Sequence, residues 1–229
     1  MKTNRVPPND LASLVIQNQT TLSMAIYYGM FEEDELPYAY KRLVQIIHHS
    51  ADRMDFGILG NRAIFRVLAE SGQIELALSM MLNPSFPSFQ YWIDRGATAL
   101  FEMFYLLEHR IDSLEDEPIP PRPDSLNHHM WGDIIAVFMR HLAGIQVESP
   151  TRVTIAPCFT DRINNLCAYE TVLGKQISVK YKKIDIMVDL TVSLPQGVEA
   201  TVTVPAGYRL AHGKSKCKAG ENHLIFCKQ

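Results

Sequence analysis

One carboxylate stands out by its surroundings. Across residues 100–107 every side chain is apolar or aromatic except Glu102. A lone carboxylate in such a run is costly to bury as an ion, so it must be paired, protonated or turned toward a pocket. Downstream, Ser125-Leu126-Asn127-His128-His129-Met130-Trp131-Gly132 places an amide, two imidazoles and an indole at the mouth of another apolar stretch. A carboxylate, an imidazole and aromatic rings are the groups expected around a sugar. The carboxylate handles a proton, the imidazole bonds hydroxyls, and a ring face stacks on the C–H face of a pyranose. The combination makes this chain a candidate glycosidase.

Each of these residues also fits a plainer role. Glu102 fits a structural carboxylate paired with an arginine, and His128 a helix-mouth histidine bonded to backbone. Phe89, Tyr91, Trp92 and Trp131 suit a sugar subsite by residue type, although aromatics near helix ends more often belong to a core. Asp94 and Arg95 are candidates for sugar hydroxyls or for surface pairing. Asp133, one turn into its helix, suits the positive end of the helix dipole. His129 is expected to point elsewhere as a structural residue. Neither His128-His129 nor His48-His49 makes a metal pair, because adjacent helical side chains diverge. With no His-Glu-x-x-His pattern either, no metal or other cofactor is expected.

The elements that must hold these groups change character near residue 146, which predicts domains over 1–145 and 146–229. Before it, helical periodicity dominates. Leu22, Ala25, Ile26 and Gly29 form one stripe, and Tyr40, Leu43, Val44 and Ile47 a second. Residues 61–70 and 74–81 read as two short helices joined at Ser71-Gly72. Residues 98–109 read as a fifth, carrying Glu102. Trp131, Ile134, Ile135, Phe138, Leu142 and Ile145 mark a sixth, closed near Gly144. Six helices with short connections predict three antiparallel hairpins. Residues 112–124 hold Glu115-Asp116-Glu117 and four prolines, and read as a surface loop. Residues 1–10, with Pro7-Pro8, read as an irregular entry into the fold.

After Ile145 the pattern alternates and turns β-branched. Residues 153–155, 176–181, 184–192, 200–204 and 223–227 read as strands. Leu173-Gly174-Lys175 and Pro195-Gln196-Gly197 supply turn chemistry. The expected fold is therefore α followed by β, the second part a small antiparallel β-sandwich.

Bulk properties narrow the class. The 229 residues are 47% hydrophobic and 21% charged, enough apolar material for a core. A net charge of −3 makes no electrostatic case for nucleic acid or an anionic membrane. No apolar run reaches membrane-spanning length and no signal-peptide pattern opens the sequence, which points to a cytoplasmic setting. Cys158, Cys167, Cys217 and Cys227 lack zinc-site spacing and read as buried free thiols. Asn18-Gln19-Thr20 is formally a glycosylation sequon but reads better as a helix start. The lysines of the C-terminal part read as a solvated face.

Several segments together resemble the α-L-rhamnosidases of glycoside hydrolase family 78. Tyr91-Trp92-Ile93-Asp94-Arg95-Gly96-Ala97-Thr98-Ala99-Leu100-Phe101-Glu102 resembles that family's general-base segment, and Ser125 through Asp133 its Asn-His motif. Gln19-Thr20, Tyr27-Tyr28-Gly29 and Phe56-Gly57-Ile58-Leu59-Gly60 are similar to its earlier hairpins. Ile155-Ala156-Pro157 is similar to the entry of its C-terminal β domain. The resemblance runs in the family's order from Gln19 onward.

It implies inverting hydrolysis of terminal α-L-rhamnosides in an (α/α)6 toroid, on a rhamnose-containing glycoside or polysaccharide. By it Glu102 is the general base, and His128 contacts sugar hydroxyls with Asn127, Trp92, Phe101 and Phe104 around the substrate. Phe101 and Phe104 stand where the family usually has Trp, which loses indole donors. That difference keeps open a six-hairpin hydrolase acting on another deoxy sugar or on a uronide. Family members carry the other half of the toroid, with the general acid, ahead of this region. The resemblance therefore implies the C-terminal half of such a domain, with that other half or a second copy as partner. A non-catalytic remnant that binds carbohydrate or docks to a partner is the rival from a different class.

Overall fold

The computed structural model describes residues 18–102, 104 and 125–229. The expected entry over 1–10, the loop over 112–124 and the end of the fifth helix lie outside the described residues. The chain forms two compact units, Met1–Ile134 and Ile135–Gln229, so the residues after Ile134 group with the strands.

The first unit is helical. α1 (Gln19–Tyr27) begins where the Asn18 side chain accepts the Thr21 amide at 2.7 Å, so this asparagine is a helix cap. α2 (Leu36–His49) buries Ala39, Leu43, Ile46 and Ile47 at helical spacing. α3 (Ile58–Glu70) is buried along most of its length, packing against α1 and against α4 (Ile74–Met81). Gly72, at φ +76°, makes the turn between α3 and α4 that Ser71-Gly72 predicts. Where a side-chain Cβ would stand on Gly60, Phe56 Cβ and Thr20 Oγ1 lie within 2.6 and 2.9 Å, so a side-chain-free residue lets α1 approach α3.

Two helical expectations need correction. Residues 98–102 are irregular and bent rather than helical. Their backbone groups bond to residues 125–131 instead of to one another, as described below. The short α5 (Phe89–Asp94), unmarked by any period, precedes them; Ser88 caps it by accepting the Tyr91 amide at 2.9 Å. The sixth helix is not one regular helix. A 3-10 turn (His129–Asp133) leads into α6 (Ile134–Val137) and a π turn (Phe138–Leu142), and Ile145 already belongs to a strand. No described helix is long and apolar enough to cross a membrane.

The second unit is a sandwich of two sheets. One holds β1 (Ile145–Ser149), β2 (Arg152–Ile155), β6 (Glu199–Val202) and β8 (Lys216–Cys217), in the order β1-β2-β6-β8. The other holds β3 (Asn165–Val172), β4 (Lys175–Ile184), β5 (Met187–Leu194), β7 (Tyr208–His212) and β9 (Gly220–Lys228), in the order β3-β4-β5-β9-β7. Pairing is antiparallel except between β2 and β6, where Arg152 lies opposite Glu199 in parallel register. The chain leaves the small sheet after β2, builds three strands of the large one, and returns running the same way. Leu173 and Gly174, both at positive φ, form the expected β3–β4 turn. The strand expected over 184–192 straddles a turn at Asp185-Ile186, whose apolar flanks hide it.

Val153, Ile155, Ala200 and Val202 from the small sheet and Val179, Leu190, Val192, Leu224 and Phe226 from the large one share a single core. Each of these side chains larger than alanine contributes about 1.5–3 kcal/mol on burial. The four cysteines are free thiols, but only Cys217 is buried, and Cys167 is exposed on β3.

Tyr181 lies in this core with its hydroxyl buried and without a partner among the described residues. Burial, then the nearby Cys158 and Tyr208, push its phenol above the usual range, and burial raises the Cys217 thiol. Both groups keep their protons in the fold at pH values where the unfolded chain has released them. Above pH about 9, where an unperturbed thiol begins to ionise, the unfolded state binds fewer protons and stability falls. Tyr181→Phe removes the orphan hydroxyl. We expect it to hold or raise stability at neutral pH, by up to about 1 kcal/mol, and to blunt the alkaline decline. Urea midpoints at neutral and alkaline pH, followed by the strand circular dichroism signal, measure both effects. A loss of more than about 1 kcal/mol at neutral pH would show that the hydroxyl has a partner after all.

Candidate active site

The candidate residues come together because two irregular stretches pair. α5 stops at Gly96, whose φ of +78° turns the chain out of the helix and releases it toward Glu102. Residues 100–102 then lie beside 125–128. The Glu102 N–H donates to the Ser125 carbonyl at 2.8 Å, and the His128 N–H to the Leu100 carbonyl at 2.6 Å. The Trp131 indole N–H closes the pairing by donating to the Glu102 carbonyl at 3.1 Å.

This pairing sets the side chains. Glu102 Oε2 accepts the Ser125 N–H at 3.0 Å, which fixes one carboxylate oxygen. His128 Nδ1 stands 3.9 Å from the same oxygen, in ion-pair range but too far for a direct hydrogen bond. The Glu102 side chain keeps 31% of its surface and that of His128 21%, so both remain reachable from solvent. His128 Nε2 is buried and has no partner among the described residues.

An aromatic cluster backs the paired stretches. Trp92 and Phe104 stack at 4.1 Å with 21° between their planes, and Trp131 meets Phe104 edge-on at 4.8 Å. Phe89 and Phe101 meet Trp92 edge-on at 5.9 and 5.8 Å. Trp92 is only 2% exposed, and Phe104 is buried with it. Their ring faces pack on each other and on the cluster, the core arrangement that was the alternative for Trp92. They form the wall behind the carboxylate. Phe101 is half-buried, and Asn127 is exposed, its backbone N–H donating to Ser125 Oγ at 3.3 Å.

Other expectations change in detail. His129 does not point away: its ring lies nearly parallel to that of His128 at 6.1 Å. Asp133 is not simply a dipole partner, because Arg66 grips it with Nε and Nη2 at 3.0 and 2.7 Å. Burial alone would lower the Arg66 pKa, but the bond to Asp133 holds it above the ordinary value. Asp94 accepts from Gln90 Nε2 at 2.6 Å, and the Arg95 guanidinium lies 3.5 Å over the Tyr91 ring. His48 pairs with Asp52 at 2.7 Å. Among the described residues no group of three His, Cys, Asp or Glu is placed to hold a metal. Sequence patterns gave no signal for Asn61 or Arg66, polar residues on the largely buried α3, although both hold the turn that follows His128.

An accessible carboxylate held by a backbone amide, with an imidazole beside it, is an arrangement able to take a proton from a water. Helical hairpins carrying it, followed by a two-sheet β unit, define the six-hairpin glycosidase class with a C-terminal β-sandwich domain. Residues 6–142 match the bacterial alpha-L-rhamnosidase 6 hairpin glycosidase domain, and residues 145–218 the bacterial alpha-L-rhamnosidase C-terminal domain. The chain belongs to the bacterial α-L-rhamnosidase family.

An alpha-L-rhamnosidase of Alteromonas sp. (strain LOR) is 24% identical over 194 residues, covering 84% of this chain and 20% of that protein. One of Formosa agariphila is 31% identical over 131 residues, covering 57% and 13%. Two solved structures share the fold. The α-L-rhamnosidase from Dictyoglumus thermophilum superposes with a TM-score of 0.80 at 23% identity, over 95% of this chain and 26% of that one. The Streptomyces avermitilis α-L-rhamnosidase complexed with L-rhamnose gives 0.74 at 22% identity, over 93% and 21%. This chain thus spans between about an eighth and a quarter of the length of these relatives.

Proposed function

We propose that this chain supplies the general-base half of an inverting α-L-rhamnosidase site, with Glu102 as the base. The observation that carries the proposal is the Glu102 carboxylate, anchored by the Ser125 N–H and reachable from solvent beside His128. Family membership and a relative of the same fold holding L-rhamnose support terminal α-L-rhamnosides as the substrate class. In such a reaction Glu102 removes a proton from water as the water attacks the anomeric carbon. The bond to the leaving oxygen breaks on the opposite face. A second carboxylic acid, roughly 6.5–9.5 Å away, protonates that oxygen when the leaving group is poor. His128 orients the sugar hydroxyls. The free thiols support a reducing compartment, in keeping with a cytoplasmic setting.

The experiment separates base from acid. A 2,4-dinitrophenyl α-L-rhamnoside loses a phenolate that needs no proton, so a site with the base alone can hydrolyse it. We expect turnover of this substrate by the purified chain, with β-L-rhamnose as the first product seen by proton NMR. First formation of the α anomer, or no turnover above the spontaneous rate, would overturn the proposal. Rhamnose binding without turnover would favour a carbohydrate-binding role instead.

A further inference from the structure

The two paired stretches that carry Glu102 and His128 are joined through the indole of Trp131, and something must hold Trp131 itself. α3 does so. Asn61, on its buried face and 1% exposed, directs its amide nitrogen to the Trp131 carbonyl at 3.3 Å and the Met130 carbonyl at 3.5 Å. Carbonyls only accept, so the amide must present its nitrogen to them. Its own oxygen is then left buried without a partner among the described residues. An unsatisfied buried oxygen costs about 1–3 kcal/mol, a penalty that a leucine of similar volume would avoid.

From this geometry we propose that Asn61 is a positioning residue for the site, acting through Trp131 on the placement of Glu102 against His128. This rests on the reading of Glu102 and His128 given above. Asn61 fixes the carbonyls of Met130 and Trp131. Trp131 then reaches the Glu102 carbonyl, and His128, two residues before Met130, is held 3.9 Å from the carboxylate. Arg66, one turn and a half along α3, grips Asp133 and fixes the far end of the same turn. Asn61 is thus the clamp on the end nearer the carboxylate.

The chain's own tryptophans report on this placement. There are two, and the Trp131 indole N–H is hydrogen-bonded while Trp92 Nε1 is buried without a partner among the described residues. Their indole N–H resonances in a ¹⁵N–¹H spectrum should therefore be well separated, with Trp131 downfield. Asn61→Asp keeps the shape but sets a carboxylate oxygen against two carbonyls, and Asn61→Ala removes the donor without repulsion. Asn83→Ala is the control. Asn83 makes the same kind of clamp in the same unit, from its amide to the Ala51 and Asp52 carbonyls at 3.1 and 3.3 Å, away from the site.

We expect both Asn61 variants to move the Trp131 indole resonance upfield and Asn83→Ala to leave it in place. On the dinitrophenyl rhamnoside we expect kcat to fall roughly 10- to 100-fold, with KM within about threefold of the unaltered chain. The proposal is overturned if the Asn61 variants lower the thermal midpoint as Asn83→Ala does and leave both the resonance and kcat unchanged. If the unaltered chain fails to turn the substrate over, the functional reading falls, and the resonance alone decides the role of Asn61. Should Asn61→Asp not fold, Asn61→Ala distinguishes the two outcomes by the same readouts.

Discussion

Glu102→Gln is expected to lower turnover of the dinitrophenyl rhamnoside by roughly 10²- to 10⁴-fold, the range that a positioned general base contributes. Glutamine keeps the length of the side chain and an oxygen that can accept the Ser125 N–H, which Glu102 accepts at 3.0 Å. The pairing of 100–102 with 125–128 uses backbone groups and the Trp131 indole, none of which the substitution touches. The fold and KM should therefore stay close to those of the unaltered chain while kcat falls. Michaelis–Menten kinetics with a circular dichroism check decide the matter. A variant that retains more than about a tenth of the turnover would mean that another group activates the water. Glu102→Asp shortens the side chain by one methylene, and we expect an intermediate loss, because the carboxylate then stands farther from the water it must reach.

Gly144→Ala is expected to be among the most damaging small substitutions in the β unit, costing more than about 4 kcal/mol, a range that few mechanisms reach, strain and clash in a packed interior among them. Gly144 sits at φ +76°, where an L side chain is already strained by about 1–3 kcal/mol. A Cβ there would lie 2.2 Å from the Ala156 carbonyl carbon and 2.3 Å from the Pro157 nitrogen. Both are backbone atoms at the base of the β1–β2 pair, where the Ala156 N–H donates to the Gly144 carbonyl at 2.8 Å. They cannot rotate aside as a side chain would. Relief requires shifting Ala143 or Ile145, which are buried in the core on either side. Gly174 gives the contrast. It too has a positive φ, of +74°, but no atom lies within 4 Å of where a Cβ would stand. Gly174→Asn is therefore expected to cost less than about 1 kcal/mol. Urea denaturation of the two variants side by side tests the pair of claims. Equal destabilisation would show that φ alone, and not the close approach, sets the cost.

Much of the scaffold was legible where a regular period was present. The stripes of α1 and α2, and the helices flanking Ser71-Gly72, follow the 3.6-residue period of a face turned to a core. Leu173-Gly174 announced its hairpin through turn chemistry. Legibility ended where the period vanished. Residues 98–102 lead into a run that is apolar on nearly every side, so their pattern could not distinguish a helix from an irregular, half-buried stretch. Distant partners, the Ser125 carbonyl and the His128 N–H, decided it. α5 is six residues long, too short for a period to register. Asp185-Ile186 turns between apolar neighbours and offers no glycine or proline as a mark.

For the site, residue types singled out Glu102 and His128, but their juxtaposition comes from backbone pairing that no spacing encodes. The aromatic residues were legible as a set and not as to side. Trp92 and Phe104 face each other, a matter of packing geometry rather than composition. Asn61 was silent because a buried amide within an apolar helix has no sequence signature until its carbonyl partners are known.

The parallel pairing of β2 with β6 has a consequence for how the chain is made. β3, β4 and β5 are joined by two-residue turns and can associate as soon as each leaves the ribosome, because local contacts close cheaply. β2 must wait for Glu199–Val202 before its second edge is covered. Through that interval the β1–β2 hairpin presents an open edge and the core side chains Val153 and Ile155 to the surroundings. Nascent chains stalled between β5 and β6 should therefore be the ones most prone to self-association or to capture by chaperones.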